Sequence, residues 1–185
     1  MQRLDKFTLP KKFRGRNKFV VQLWWIIQST LFALSPQFMY SWRSFLLRLF
    51  GAKIGRSVII RPTVRVTYPW KLKIGDYSWI GDYVELYTLG DLYIGNNVVV
   101  SQRSYICTAS HKYNQQDFAI YNNKVEIKDG CWIATDVYIG PGVTVNRNSV
   151  IGARSSVFKD VPEGKVCVGT PAKVIKKREF LNTKY

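Results

Sequence analysis

A single histidine, His111, stands where a regular pattern in the chain is interrupted, and imidazole suits proton exchange near neutral pH. Alone it implies little, because a lone histidine is more often a surface or packing residue. Asp82 follows Gly81, so its carboxylate could serve either a turn or a polar ligand. The cysteines Cys107, Cys131 and Cys167 form no C-x-x-C pair that would suggest zinc. Their odd number reads as reduced core thiols in a reducing compartment. Residues 1–53 hold ten Lys/Arg against one acid, residues 165–185 six against one, and the stretch between twelve against ten. With a net charge of +16, both ends are candidates for binding something anionic, or serve only solubility. No aromatic-interleaved basic motif supports a nucleic-acid partner.

The elements that must position these groups follow a period of six. Ile54, Ile60 and Val66, then Ile74, Ile80 and Leu86, then Ile94, Val100 and Ile106, and finally Ile127 through Val157 repeat an aliphatic residue at that spacing. Neither a helix nor a simple strand has this period; a hexapeptide β-helix does. Glycine follows the aliphatic residue at 55, 75, 81, 95, 140, 152 and 169, where turn chemistry predicts unusual dihedrals. Four residues after the aliphatic one comes a small or β-branched residue, such as Val58, Ser78, Ser104, Cys131 or Ser155. Three hexapeptides make one coil, and successive coils begin 20 residues apart at 54, 74 and 94. From Ile94 to Ile127 is 33, so an insertion falls between Ile106 and Ile127. A long excursion from a rigid scaffold is more often functional than accidental, and this one begins at Ser110-His111. At 185 residues the chain accommodates one domain and an unusual front end.

That front end divides at Pro36. Phe19–Leu34 is mostly apolar but, at 16 residues with Gln22, Gln28, Ser29 and Thr30, falls short of the roughly 20 needed to span a bilayer. Ser35-Pro36 predicts an N-cap and first turn, and Gly51 a stop. Between them Gln37, Ser41, Ser44 and Arg48 predict one polar stripe on a wide apolar helix. Preceded by Lys11, Lys12, Arg14, Arg16 and Lys18, these segments fit an interfacial membrane anchor. They also fit a cap over the first coil that aids subunit association. A signal peptide ending at Ala33-Leu34-Ser35 would leave the second apolar helix exposed.

The runs Cys131-Trp132-Ile133-Ala134, Pro141-Gly142-Val143-Thr144, Val150-Ile151-Gly152-Ala153-Arg154-Ser155, Lys159-Asp160-Val161-Pro162 and Val168-Gly169-Thr170-Pro171-Ala172-Lys173 resemble the hexapeptide-repeat acyltransferases. The likeness extends from Ile54 to about Arg178, and from roughly Phe19 the chain is most similar to the colanic acid biosynthesis acetyltransferases. It implies a left-handed parallel β-helix over 54–178 with an inserted loop at 107–126. A basic helical segment over 1–53 precedes it, and a tail over 179–185 follows. The handedness comes from the resemblance, since coils of this hand oppose the usual right-handed crossover.

The resemblance further implies transfer of acetyl from acetyl-CoA to a sugar hydroxyl in surface-polysaccharide assembly, with no metal and no acyl-enzyme. His111 occupies the position of the family's base. The backbone N–H of Thr135 occupies that of the oxyanion donor. Trp132, Ala134 and Ala153 would border the pantetheine arm, Ala134 replacing a common glycine, and Lys159, Lys173 and Lys176 would meet the phosphates. Asp82, standing where galactoside-type enzymes carry asparagine, would hold a sugar hydroxyl or orient His111. The expected assembly is a homotrimer with sites between subunits, in the cytoplasm or peripherally at the inner membrane face, on a free, nucleotide-linked or lipid-linked carbohydrate. The alternatives are a non-enzymatic basic protein on an anionic membrane surface, and an acyltransferase using another acyl-CoA or an amino-sugar acceptor. A zinc carbonic anhydrase on the same scaffold would need three histidine ligands where one is present.

Overall fold

The six-residue period builds three parallel sheets around one apolar axis. The computed structural model describes residues 1–180, so positions 181–185 of the expected tail lie outside the described residues. Wall A runs through Lys53–Ile54, Leu72–Ile74, Leu92–Ile94, Val125–Ile127 and Thr144–Val145. Wall B runs through Ile59–Ile60, Trp79–Ile80, Val99–Val100, Trp132–Ile133 and Val150–Ile151, then ends in the hairpin Lys165–Gly169/Ala172–Lys177. Wall C runs through Arg65–Val66, Glu85–Tyr87, Tyr105–Cys107, Tyr138–Ile139 and Ser156–Val157. This is the expected left-handed β-helix of hexapeptide repeats.

Every aliphatic residue of the repeat from Ile54 to Val157 is buried. Equivalent residues pair across coils without slippage, for example Ile74 with Ile94 and Ile94 with Ile127, so the insertion leaves the ladder intact. The small residues four positions on are buried as well, and the serines among them find partners. Ser78 Oγ donates to the Gly95 carbonyl at 2.7 Å, and Ser104 Oγ to that of Ala134 at 2.8 Å.

The glycines serve a different purpose from the one their turn chemistry predicts. Of the seven that follow the aliphatic residue, only Gly169 has positive φ. The left-handed conformation falls instead on residues such as Tyr77, Asn97, Asp136 and Asn148. What glycine supplies is room. A Cβ on Gly75 would lie 2.5 Å from Asn96 Oδ1, and Asn96 Oδ1 already accepts the Asp76 N–H at 2.8 Å. Asp76 serves the Arg56 N–H and Asp129 the Asn96 N–H in the same manner, making a ladder of side-chain acceptors along the corner between walls A and B.

Two helices close the open first coil: α1 (Lys18–Ile27), extended by a π turn over Gln28–Phe32, and α2 (Tyr40–Leu49). The first coil has no coil beneath it, so each wall presents a carbonyl without a strand partner. Trp24 Nε1 donates to Val66 O at 2.7 Å, Arg43 Nε to Ile60 O at 2.6 Å and Arg48 Nη2 to Ile54 O at 2.9 Å. Each wall thus receives one side-chain donor. No described helix is long and apolar enough to cross a membrane.

This duty changes α2 from its expected form. It begins at Tyr40 rather than after Ser35, because the Ser35 hydroxyl donates to Phe32 O at 2.6 Å and accepts from Arg43 Nη1 at 2.7 Å. The Pro36 and Gln37 carbonyls also accept from Arg43. Arg43 and Ser44 are buried against the coil, while Phe45 and Leu49 are exposed. Gly51, with φ of +93°, does end the helix as expected.

Candidate active site

The insertion is a β-hairpin. Ala109–His111 pairs antiparallel with Ile120–Asn122, His111 opposite Ile120, and the pair projects from the corner between walls C and A. The turn beyond it is closed by Lys112 N–H to Ala119 O at 2.8 Å. His111 Nδ1 lies 2.8 Å from the carbonyl oxygen of Phe118. A carbonyl can only accept, so Nδ1 carries a proton, and in the neutral ring the lone pair is then on Nε2. The Phe118 ring stacks on the imidazole, centroids 4.1 Å apart and planes within 8°. One residue therefore sets both the tautomer and the ring plane.

Most of the remaining sites lie along the corner between walls B and C. Trp132 sits on the outer face of wall B, half-exposed, its Nε1 donating to Ser101 Oγ at 3.0 Å. Ala134 is buried, its N–H donating to Ile151 O at 2.9 Å. Thr135 follows at the corner, and its carbonyl accepts the Arg154 N–H at 2.9 Å, which places Ala153 one coil above. Among the described residues the Thr135 N–H has no acceptor, a feature shared by the equivalent Asp82 and Gln102. An available N–H is thus a property of this corner.

Lys173 and Lys176 are three apart on one strand, which alternation alone would send to opposite faces. A bulge between Val166 and Cys167 corrects this: Lys173 pairs with Val168 and Lys176 with Val166, both on the side opposite the inward Cys167. The outer column runs from Trp132 to Val150, Val166 and Lys176. Three strand spacings make it roughly 15 Å long, a suitable track for an extended pantetheine arm leading from the indole to cationic ends.

Asp82 stands at the same corner two coils below Thr135. Its carboxylate accepts from Arg61 Nε at 2.8 Å and from Thr63 Oγ1 at 2.9 Å, so both oxygens already have partners. Asp82, Thr135, Arg61, Tyr83 and Arg103 line a groove of about 410 Å³. Tyr83 also borders a larger cleft of about 740 Å³ between α1 and wall C, lined by Trp25, Gln22, Tyr87 and Glu85. Burial raises the Glu85 carboxyl above its ordinary range.

One chain does not bring these groups together. His111 and Lys159 leave wall C at its far corner, whereas Trp132, Ala134, Thr135, Ala153 and Asp82 flank its near one. The intervening wall is roughly 15 Å across by strand rise. Asp82 consequently does not orient His111 within a chain; the Phe118 carbonyl does. Sequence reasoning missed Phe118 and also Phe7, whose ring lies 6.0 Å from the imidazole. No motif marks either; the one signal was a phenylalanine closing the turn that begins at the only histidine. The three cysteines are buried and unpaired, and no cluster of three metal-ligating side chains occurs among the described residues.

Comparison with known proteins bears on the fold and the family. A family model described as bacterial transferase hexapeptide (six repeats) matches residues 124–159. A protein of Escherichia coli (strain K12) named for colanic acid biosynthesis, the acetyltransferase WcaF, is 57% identical over 178 residues, covering 96% of this chain and 98% of its own. Among solved structures, a maltose O-acetyltransferase from Clostridium difficile 630 superposes with a TM-score of 0.82 at 28% identity, covering 91% of this chain and 96% of that one. A hexapeptide-repeat containing acetyltransferase from Vibrio cholerae, complexed with acetyl coenzyme A, shares the fold with a TM-score of 0.78 at 24% identity, over 88% and 89% of the two chains.

Proposed function

Because the chain belongs to the hexapeptide-repeat acetyltransferases, we propose that it moves an acetyl group from acetyl-CoA to a sugar hydroxyl of a surface or exopolysaccharide precursor. The observation that carries this reading is the bond from His111 Nδ1–H to Phe118 O, which leaves Nε2 as a base. Nε2 takes the hydroxyl proton as the oxygen attacks the thioester carbonyl. The Thr135 N–H meets the resulting oxyanion. As the C–S bond breaks, the imidazolium returns its proton to the departing thiolate, so no acyl-enzyme forms. Trp132, Ala134, Ala153, Lys159, Lys173 and Lys176 hold the donor.

A homotrimer brings one chain's His111 corner to the neighbour's Thr135 corner. The aromatic column on wall C between them supports this arrangement: Tyr105 stacks on Tyr138 at 6.0 Å, and Tyr138 meets Phe158 at 5.7 Å. Each single variant, His111→Ala or Trp132→Ala, is expected to be impaired, and co-assembly of the two to restore activity. No restoration in a confirmed mixed oligomer rules out the shared site.

The acceptor reading rests on the Asp82 groove and the adjoining cleft, which offer aromatic faces beside polar groups. We place the reaction at the cytoplasmic membrane face. Phe19, Leu34, Phe38 and Leu49 are among the most exposed apolar residues, and the basic residues Lys11, Lys12, Arg14, Arg16 and Lys18 are exposed too, Lys18 lying 5.6 Å from the Phe19 ring. Co-sedimentation with anionic vesicles, weaker with neutral ones and with salt, is the expected result. Absence of binding at low salt leaves the helices only a capping role. A screen of acyl-CoA consumption against cell-envelope sugars and lipid-linked oligosaccharides tests the chemistry. Turnover with amino-sugars alone, or with a longer acyl donor alone, replaces the proposed substrate pair.

A further inference from the structure

The segment before α1 is more than a basic leader. Asn17 caps the helix by accepting the Val20 N–H at 3.0 Å, and the chain before it lies along the side of the β-helix. Trp70 Nε1 donates to Arg14 O at 2.7 Å, and Lys71 Nζ to Phe13 O at 2.7 Å. Gly15 has a φ of +73°, and a Cβ there would lie 3.0 Å from the Trp70 indole nitrogen, so glycine allows this approach. Phe13 is buried in a small cluster with Val21, Tyr68, Leu89 and Ala109, onto which Ile120 packs. Ala109 and Ile120 belong to the hairpin that carries His111.

The segment then reaches the loop itself. The Arg3 N–H donates to Gln116 O at 2.7 Å, at the tip between His111 and Phe118. Phe7 is the only residue among the first ten that is not exposed. Its ring is tilted 50° against the imidazole at 6.0 Å. The coils hold the hairpin's root through Tyr68 and Leu89, but its tip lies beyond their ladder; the N-terminal segment adds Phe13 at the root and the Arg3 bond at the tip.

We propose that residues 3–16 form a strap that positions His111, with Phe7 as a positioning residue acting through the imidazole. The inference rests on His111 being the base. A misplacement of about 1 Å can cost as much as a hundredfold in rate, so loss of one of two aromatic contacts is expected to cost about tenfold.

The test uses the full-length protein. Phe7→Ala should lower kcat about tenfold with the KM for acetyl-CoA unchanged, and Phe7→Tyr should restore it. In a His111→Ala background, Phe7→Ala should cost nothing further, because groups that act as a unit are not additive. Hydrogen exchange should quicken at residues 112–119 while the coil amides stay protected. Wild-type turnover for Phe7→Ala overturns the strap, and so does an undiminished tenfold loss in the His111→Ala background. If Phe7→Ala does not fold, Phe7→Leu, which keeps apolar bulk at that position but removes the aromatic face, is judged by the same kcat, KM and exchange readouts. Wild-type turnover for His111→Ala would instead overturn the base reading, so the two failures are distinguishable.

Discussion

The two corners that border wall C position chemistry in opposite ways. At the Thr135 corner every group is set by the repeat: coil pairing fixes the backbone, and Asp82 and Gln102 occupy equivalent places below. At the His111 corner the repeat is broken, and geometry depends on Phe118, Phe7 and a small satellite cluster. A backbone N–H can be presented by any regular coil. A base needs a tautomer and a ring plane, which the regular coil has no means to specify.

The comparison breaks most sharply at His111. His111→Ala should leave the fold and coenzyme A binding near normal while lowering turnover roughly 10²–10⁴-fold in a saturating assay, whereas Thr135→Ala should change little, since its backbone N–H persists. A large loss at Thr135 with none at His111 would reverse the assignment. The next effect concerns what terminates the regular coils. Arg43→Met removes the donor to Ile60 O and strands three more acceptors, so denaturant unfolding should show a loss of about 3 kcal/mol. An unchanged midpoint would mean water satisfies the first coil.

Neutralising Lys173 and Lys176 together sharpens the donor side. Calorimetry should find coenzyme A weakened by about a hundredfold, and dephospho-coenzyme A less, if the two lysines meet the extra phosphate as proposed. Equal weakening moves that phosphate elsewhere. The smallest effect lies within the regular coil, where burial pushes the Cys131 thiol up to about 11 from 9.0. Its folded pKa exceeds the unfolded one, so the thiol's contribution is complete below pH 9 and declines as pH rises toward 11. Stability should fall by at most about 1.4 kcal/mol per pH unit in that window, and Cys131→Ala should flatten the slope. An identical alkaline slope in the variant would assign the loss to other groups.

The sequence by itself determined the scaffold. A period of six is local information repeated many times, and each coil's inward residue, small partner and corner acceptor reinforce those of its neighbours. The length of the insertion and the place of His111 at its root were equally legible, because a break in so regular a pattern stands out. The purpose of the corner glycines was not, since a close approach such as that of Gly75 to Asn96 involves a residue one coil away. Tertiary structure alone decided the orientation of α2. Its amphipathic pattern said that two faces differ, and only the unpaired carbonyls of the first coil required Arg43 and Arg48 to turn inward and Phe45 outward. The same holds for Phe7 and Phe118, whose contacts with His111 join segments that no periodicity relates.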